Sequence, residues 1–279
     1  MDKNVLSRRI IAAVVSFVLT VSVTALALCA VIGISCSSAF FTQEARRSGY
    51  ITAATESLLT DLGDVAIPSG LPTDFFETRL GKDILETRIL NAFGSHIEGK
   101  TPDFSVEEIH AEFYNMLRDY ALTQNRVISD ESEEALNGFA DECTERYLTY
   151  ANPSSVKLVL TYFPLIRKYI GFGAAVSALL AATSAALLFF LCRKKDLGKH
   201  LYFSFSATAL LLGVIPAIIL ISKEVQKIAI TGKALYSLIV GFFEGILTLA
   251  VIFAAFFLLL ALSLILIKFI ISKKQKPNI

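Results

Sequence analysis

Residues 245–267 read GILTLAVIFAAFFLLLALSLILI, 23 positions without a charged side chain. At about 1.5 Å of helical rise per residue, such a run covers a hydrocarbon core of about 30 Å with length to spare for tilt. Lipid offers no partner to backbone N–H and C=O groups. A helix, which satisfies them internally, is therefore the expected spanning form, and the short alternating strands of a barrel are missing. Three more uncharged runs have spanning length: Ile10 to Ile34, Ile170 to Cys192 and Leu201 to Ser222. The expected fold class is all-α, a four-helix transmembrane protein with an extracytoplasmic helical domain between the first and second spans.

Composition agrees. The 279 residues are 54% hydrophobic and 18% charged, with a mean hydropathy of +0.60. A soluble domain averages about 45–50% apolar and about 25% charged, so a wholly soluble chain is excluded.

Orientation follows from the cations that flank the spans. Lys3, Arg8 and Arg9, then Arg193, Lys194, Lys195 and Lys199, then Lys268, Lys273, Lys274 and Lys276 fall on one side, against Lys223, Lys227 and Lys233 on the other. By the positive-inside rule both termini face the cytoplasm of a cell membrane, and residues 42–168 and 223–234 lie outside. The chain then divides into residues 1–41 (tail and first span), 42–168 (exterior domain) and 169–279 (three spans, short loops and a basic tail). Between Phe41 and Tyr169 stand 21 acids against 12 bases, a net of −9, while the rest of the chain carries +10. An acidic exterior disfavours nucleic acid as a partner; the basic inner rim suits the anionic headgroups of a lipid bilayer.

A cleaved leader is the rival reading of the N-terminus, since Ser37-Ser38-Ala39 supplies small residues after an apolar run and Cys36 follows Gly33-Ile34-Ser35. A leader's apolar core runs about 7 to 15 residues. Here the chain is uncharged from Ile10 through Gln43, which fits a retained anchor.

The exterior segment reads as helices. Ile51, Leu58, Leu62 and Val65 continue a stripe from the first span as far as Pro68-Ser69-Gly70-Leu71-Pro72, where two fixed φ angles break the chain. Ile84, Leu85, Ile89 and Phe93 mark a short second helix. Ser105 with Glu108 is a capping box, followed at three-four spacing by Val106, Ile109, Phe113, Met116 and Tyr120. Asp130, Glu131, Glu133 and Glu134 suit a helix N-terminus better than a calcium loop, whose spaced ligands and central glycine are missing. Leu136, Phe139, Cys143, Tyr147 and Tyr150 follow along one face. Asn152-Pro153 stops that helix, and Ser154 or Ser155 starts one expected to run past Pro164 into the second span.

Chemistry-bearing motifs are sparse. Glu107 and His110, three apart, match half of the carboxylate-bridged di-iron pattern, but no second Glu-x-x-His occurs, so His110 is expected as a partly exposed residue and no metal or cofactor is expected. His96, near Glu98, reads as a loop residue and His200 as interfacial. Only Cys143 of the four cysteines lies clearly outside, which leaves no disulfide framework; on an apolar stripe it reads as a buried free thiol. Phosphate loops, His-Glu-x-x-His, Gly-x-Ser-x-Gly and dinucleotide fingerprints are missing, so an enzyme is not the expected reading.

Glu244 interrupts the apolar run from Leu235 to Ile267. Carboxylates within a span are functional candidates. Counting back about 20 residues from Lys268 places Glu244 at the outer interface, where an approach helix over Leu235 to Leu247 with a solvated or lysine-paired carboxylate is the plainer account. In the second span, Gly171, Gly173, Ser177, Ala178, Ala181, Ala182 and Ala185 make a small-residue face open to close helix approach, either to the first span or in a homo-oligomer. Pro216 is a candidate kink in the third span.

The Gly70-Leu71-Pro72-x-Asp74-Phe75-Phe76 segment, the long helical exterior loop and Tyr236 through Gly245 resemble a group of uncharacterised four-span membrane proteins of Gram-positive bacteria. That resemblance implies a cell-membrane location and carries no activity. The layout is also similar in outline to FtsX-like permeases, which set an exterior domain between their first two spans, although the Arg193 to His200 link is short for their coupling segment. The expected function is non-enzymatic: the exterior domain binds a protein partner or senses an external condition. The alternative is an oligomeric transporter or permease component using Glu244 and the small-residue face.

Overall fold

The structure, a computed structural model, describes residues 3–102, 104–151, 153–192, 194–228 and 233–274. Among these residues every regular element is helical: α1 (Lys3–Ser35), α2 (Ser38–Arg47), α3 (Tyr50–Ala66), α4 (Phe75–Leu80), α5 (Lys82–Glu98), α6 (Val106–Thr123), α7 (Asp130–Ala151), α8 (Ser154–Thr161), α9 (Phe163–Leu191), α10 (Lys194–Ser222) and α11 (Lys233–Lys274), with two short 3₁₀ turns at Ile67–Ser69 and Glu224–Lys227. Four stretches are long and apolar enough to cross a membrane: Ser7–Ser35, Val156–Leu191, Asp196–Ser222 and Ala234–Lys268. The chain divides into an apolar unit (Met1–Ser35, Leu165–Ala229, Phe242–Ile279) and an acidic unit (Cys36–Pro164, Ile230–Gly241).

The apolar unit is built inside out by the standards of a water-soluble bundle. Ser22, Ser184, Ser204 and Thr208 are buried, while Phe172, Phe190, Ile221 and Leu259 turn outward, Ile221 at 82% exposure. In water that arrangement would leave the large apolar side chains unburied; against hydrocarbon it costs nothing, and the hydroxyls gain by turning inward. The most extensive helix pairing is between α1 and α10. Ala12, Leu19 and Val23 pack against Leu188, with Ala181, Ala185 and Phe205 around them, and Ala27 meets Leu212 and Ala254. A Cβ on Gly213 would stand 2.9 Å from the Ala254 Cβ, so this glycine sets how closely α10 and α11 approach. Pro216 lies inside α10, whose helix continues through it.

The acidic unit hides a conventional core. Leu58 and Leu62 on α3, Leu85, Ile89 and Phe93 on α5, Phe113 on α6 and Cys143 and Tyr147 on α7 are all buried. Edge-to-face rings connect them, Phe75 to Phe76, Phe76 to Phe113 and Phe113 to Tyr147. The expected capping box closes: Ser105 Oγ accepts from Glu108 N at 3.1 Å while Glu108 Oε2 accepts from Ser105 N at 2.9 Å. Gly70 takes φ of +74° to end the 3₁₀ turn, and the Asp74-Phe75-Phe76 segment that follows delivers both rings to the core.

Several local expectations need correction. The first apolar run does not pass unbroken into α3. It stops at Ser35; Ser37, whose Oγ accepts from Phe40 N, caps a separate α2, and Gly49 in the left-handed region separates α2 from α3. The helix after Pro153 likewise does not run through Pro164. Tyr162 ends α8, and α9 restarts at Phe163, which puts Pro164 in a first turn where its missing N–H leaves no intrahelical bond unmade. The second exterior helix is 17 residues long rather than short, and Ile84 on it is exposed. Val106 is exposed as well; the buried stripe of α6 is Ile109, Phe113 and Leu117, an exact four-residue register that the three-four reading blurred. His96 is buried in the last turn of α5, not set in a loop. Asn152, half of the expected stop signal, lies outside the described residues.

Candidate functional site

In the apolar unit the polar groups gather along α1 and α10. Ser16, Thr20 and Thr24 recur every fourth residue on α1, as do Ser204 and Thr208 on α10, so each set occupies one helix face. Thr20 Oγ1 donates to Ser204 Oγ at 3.0 Å, Ser204 Oγ donates to the Ser16 carbonyl at 3.3 Å, and the Thr24 and Thr208 hydroxyls pair at 3.0 Å. This hydroxyl ladder's repeat of four in two apolar runs is visible in the sequence, but serine and threonine are ordinary in spans and no single position marks it.

The small-residue face of the second span divides. Gly173, Ser177, Ala181 and Ala185 are half-buried, with a Gly173 Cβ placed 3.5 Å from Cys29 Sγ of α1, whereas Gly171, Ala178 and Ala182 are exposed. Glu244, half-buried on α11, accepts from Gln226 Nε2 at 3.0 Å. Gln226 is presented by the 3₁₀ turn that follows Lys223, a residue with φ of +54°. The described partner of the carboxylate is thus an amide, and Lys227 is engaged instead by Glu224 at 2.6 Å.

In the acidic unit His110 and Glu107 do not converge on a common point. His110 Nε2 lies 3.2 Å from Asp141 Oδ1 on α7 and its ring stacks on Tyr114, while Glu107 is exposed at the start of α6, where backbone hydrogen bonding and the Ser105 hydroxyl hold its carboxyl below the usual range. No group of three or more potential metal ligands occurs among the described residues. No disulfide joins the four cysteines, and burial pushes the Cys143 thiol up to about 12.

Two polar pairs hold this unit together and one buried carboxylate opposes them; spacing in the sequence signals none of the three. Arg88 reaches Glu112 through two bonds of 2.7 and 3.1 Å, fixing α5 to α6 beside the buried Tyr147 ring. Tyr150 Oη donates to Asp61 Oδ2 at 2.5 Å, tying α7 to α3; burial first and this bond second push the phenol up to about 12. Glu44 is a buried carboxylate whose nearest described cation, Arg47, is 3.9 Å away, and burial raises its pKa against that weak opposition.

Beside the Asp61–Tyr150 bond lies an open cavity of about 310 Å³ lined by Asp64, Val65, Pro68, Ser69, Phe139, Glu142 and Arg146. Its walls come from the end of α3, the following 3₁₀ turn and the middle of α7. Arg146 Nη2 donates to Glu142 at 2.8 Å, while its Nε, shielded from solvent, has no hydrogen-bond partner among the described residues. A lining of Val65, Pro68 and Phe139 beside the charged Asp64, Glu142 and Arg146 can take an amphipathic side chain or a short peptide segment.

The fold and these arrangements define a helical protein with four helices long and apolar enough to cross a membrane. Comparison with protein families, with curated proteins and with solved structures finds no match.

Proposed function

We propose that the chain is a multi-pass protein of the cell membrane with both termini in the cytoplasm, and that its acidic helical unit stands outside and binds a protein partner. The observation that carries this reading is the groove beside α3 and α7. It sits on an ordered core and is lined by apolar Val65, Pro68 and Phe139 together with Asp64, Glu142 and Arg146 of opposite charge. Such a surface recognises another chain better than it performs chemistry. The asymmetry of cations about the spans supports the orientation.

Two measurements test it. Impermeant labels placed at Glu108 and Lys276 report opposite compartments on this reading; the same compartment for both refutes the orientation. Cross-linking in native membranes yields a protein adduct with the wild-type chain that is lost in Phe139→Glu and kept in Val127→Glu, which alters an exposed residue elsewhere on the unit. Equal adducts in all three chains refute the groove as the contact. The transport alternative rests on Glu244 and the small-residue face of α9; an amide-paired carboxylate in an exposed hydrogen bond gives the first of these no support beyond the sequence.

A further inference from the structure

One short helix of the acidic unit has an apolar face that the unit does not use. Val156 and Leu160 of α8, with Phe163 just beyond it, are buried against the unit, where α8 packs on α5. On the other side Leu158, Val159 and Tyr162 are 63%, 58% and 55% exposed. Helical spacing explains the split, because 156, 160 and 163 share one stripe and 158, 159 and 162 another.

Length shows that α8 is not needed to cross lipid. The apolar stretch Val156–Leu191 has 36 residues, yet the 29 residues of α9 already reach about 44 Å against a core of about 30 Å. Charge then indicates the occupant of the exposed face. After Glu145 the next acid in the chain is Asp196, and ahead of the apolar run that begins at Tyr169 stand Arg146, Lys157, Arg167 and Lys168. A cationic, acid-free segment with outward Leu, Val and Tyr stands out in a region of net charge −9. Lysine stems lie along apolar surface with the ammonium at headgroup level, and tyrosine favours the same depth.

We infer that α8 is an interfacial helix: Leu158, Val159 and Tyr162 dip into the headgroup–acyl boundary of the bilayer, and the exposed Lys157 engages anionic phospholipid headgroups. The inference rests on the membrane reading above and adds a lipid-binding element to the acidic unit. Its occupant is the bilayer itself, continuous with the lipid around α9, and not a second protein.

The chain contains no tryptophan, so a single introduced one reports its own surroundings. Val159→Trp, Leu158→Trp, Val127→Trp and Phe256→Trp are each reconstituted in vesicles of equal parts phosphatidylglycerol and phosphatidylcholine, with lipids brominated at shallow or deep acyl positions. Trp fluorescence at 159 and 158 is expected to be blue-shifted and quenched most by shallow bromines, more weakly in pure phosphatidylcholine; at 127 it is quenched only by aqueous acrylamide, and at 256 by deep bromines. Positions 158 and 159 behaving like 127, with 256 still quenched by lipid, overturns the interfacial helix and leaves the membrane reading standing. Loss of lipid quenching at 256 overturns both. A blue shift at 159 that lipid bromines do not quench, and that grows with protein concentration in detergent, assigns the face to a second copy and overturns the proposal.

Discussion

The hydroxyl ladder can be tested rung by rung. Thr24 and Thr208 pair at 3.0 Å across α1 and α10, and Thr208 is fully buried. Changing either to valine preserves shape and removes one hydroxyl. The partner left behind is not stranded, because a helical threonine can donate to the carbonyl four residues earlier, as Thr183 does to Leu179 at 2.9 Å. Each single variant should therefore cost less than the bond is worth in isolation. The quantity to read is the coupling in the double-mutant cycle, expected at about 0.6 kcal/mol and at most about 1.7 kcal/mol for a hydrogen bond between membrane helices. That corresponds to about a threefold change in the unfolding equilibrium. The Thr20–Ser204 rung should behave alike, so that removing both rungs costs about twice as much if they act independently. Reversible unfolding in mixed detergent micelles, followed by circular dichroism, gives the four free energies of each cycle. Thr183, exposed on α9 and bonded to its own Leu179 carbonyl at 2.9 Å, is the control: Thr183→Val should be close to neutral. Additive behaviour of Thr24→Val and Thr208→Val, or a Thr183→Val cost as large as either, would refute the claim that the ladder fixes the α1–α10 pairing.

Three further outcomes follow from the acidic unit. Gly241 would place a Cβ 2.8 Å from that of Ser48, so Gly241→Ala should destabilise by about 1–3 kcal/mol through overpacking, whereas Gly138→Ala, in open space on α7, should stabilise by about 0.5–1 kcal/mol; chemical denaturation of both variants checks the contrast. Glu44 has a folded-state pKa above its unfolded value, so the native state holds the proton more tightly and this residue's contribution to stability falls as pH rises from 4.5 through the folded pKa. Glu44→Gln should remove that decline and be the more stable chain at neutral pH, which melting curves across the acid range would show. Cys143, buried and with its thiol raised to about 12, should resist maleimide in a variant lacking Cys29, Cys36 and Cys192 and react fully once the chain is unfolded, as read by mass spectrometry.

Local signals carried far along the acidic segment. Ser105 and Glu108 specify their helix start through short-range bonds alone, and Gly70 with Pro72 specifies a break through φ angles alone, so neither depends on distant contacts. Where two adjacent positions were both apolar, as at Ile84 and Leu85, periodicity could not say which would be covered; packing turned Leu85 inward and left Ile84 out. The polar pairs Arg88–Glu112 and Asp61–Tyr150 join residues 24 and 89 positions apart, beyond the reach of any local pattern. Glu44 gives no sign in the sequence that it is buried, since its neighbours Arg46 and Arg47 make the turn look solvated.

From the order of residues alone come the four apolar helices, the charge asymmetry about them and the helical character of the segment between. These are sums over a run, of transfer free energy, charge and backbone preference, and need no knowledge of what the run touches. Only the tertiary structure decides which hydroxyls face each other across α1 and α10, which small residues of α9 turn inward, that α8 breaks from α9, and that Leu158, Val159 and Tyr162 stay uncovered. The physical reason is that pairing depends on the rotation and approach of one helix against another, set by side chains far apart in the chain, and on which of two apolar faces finds its partner first within the protein.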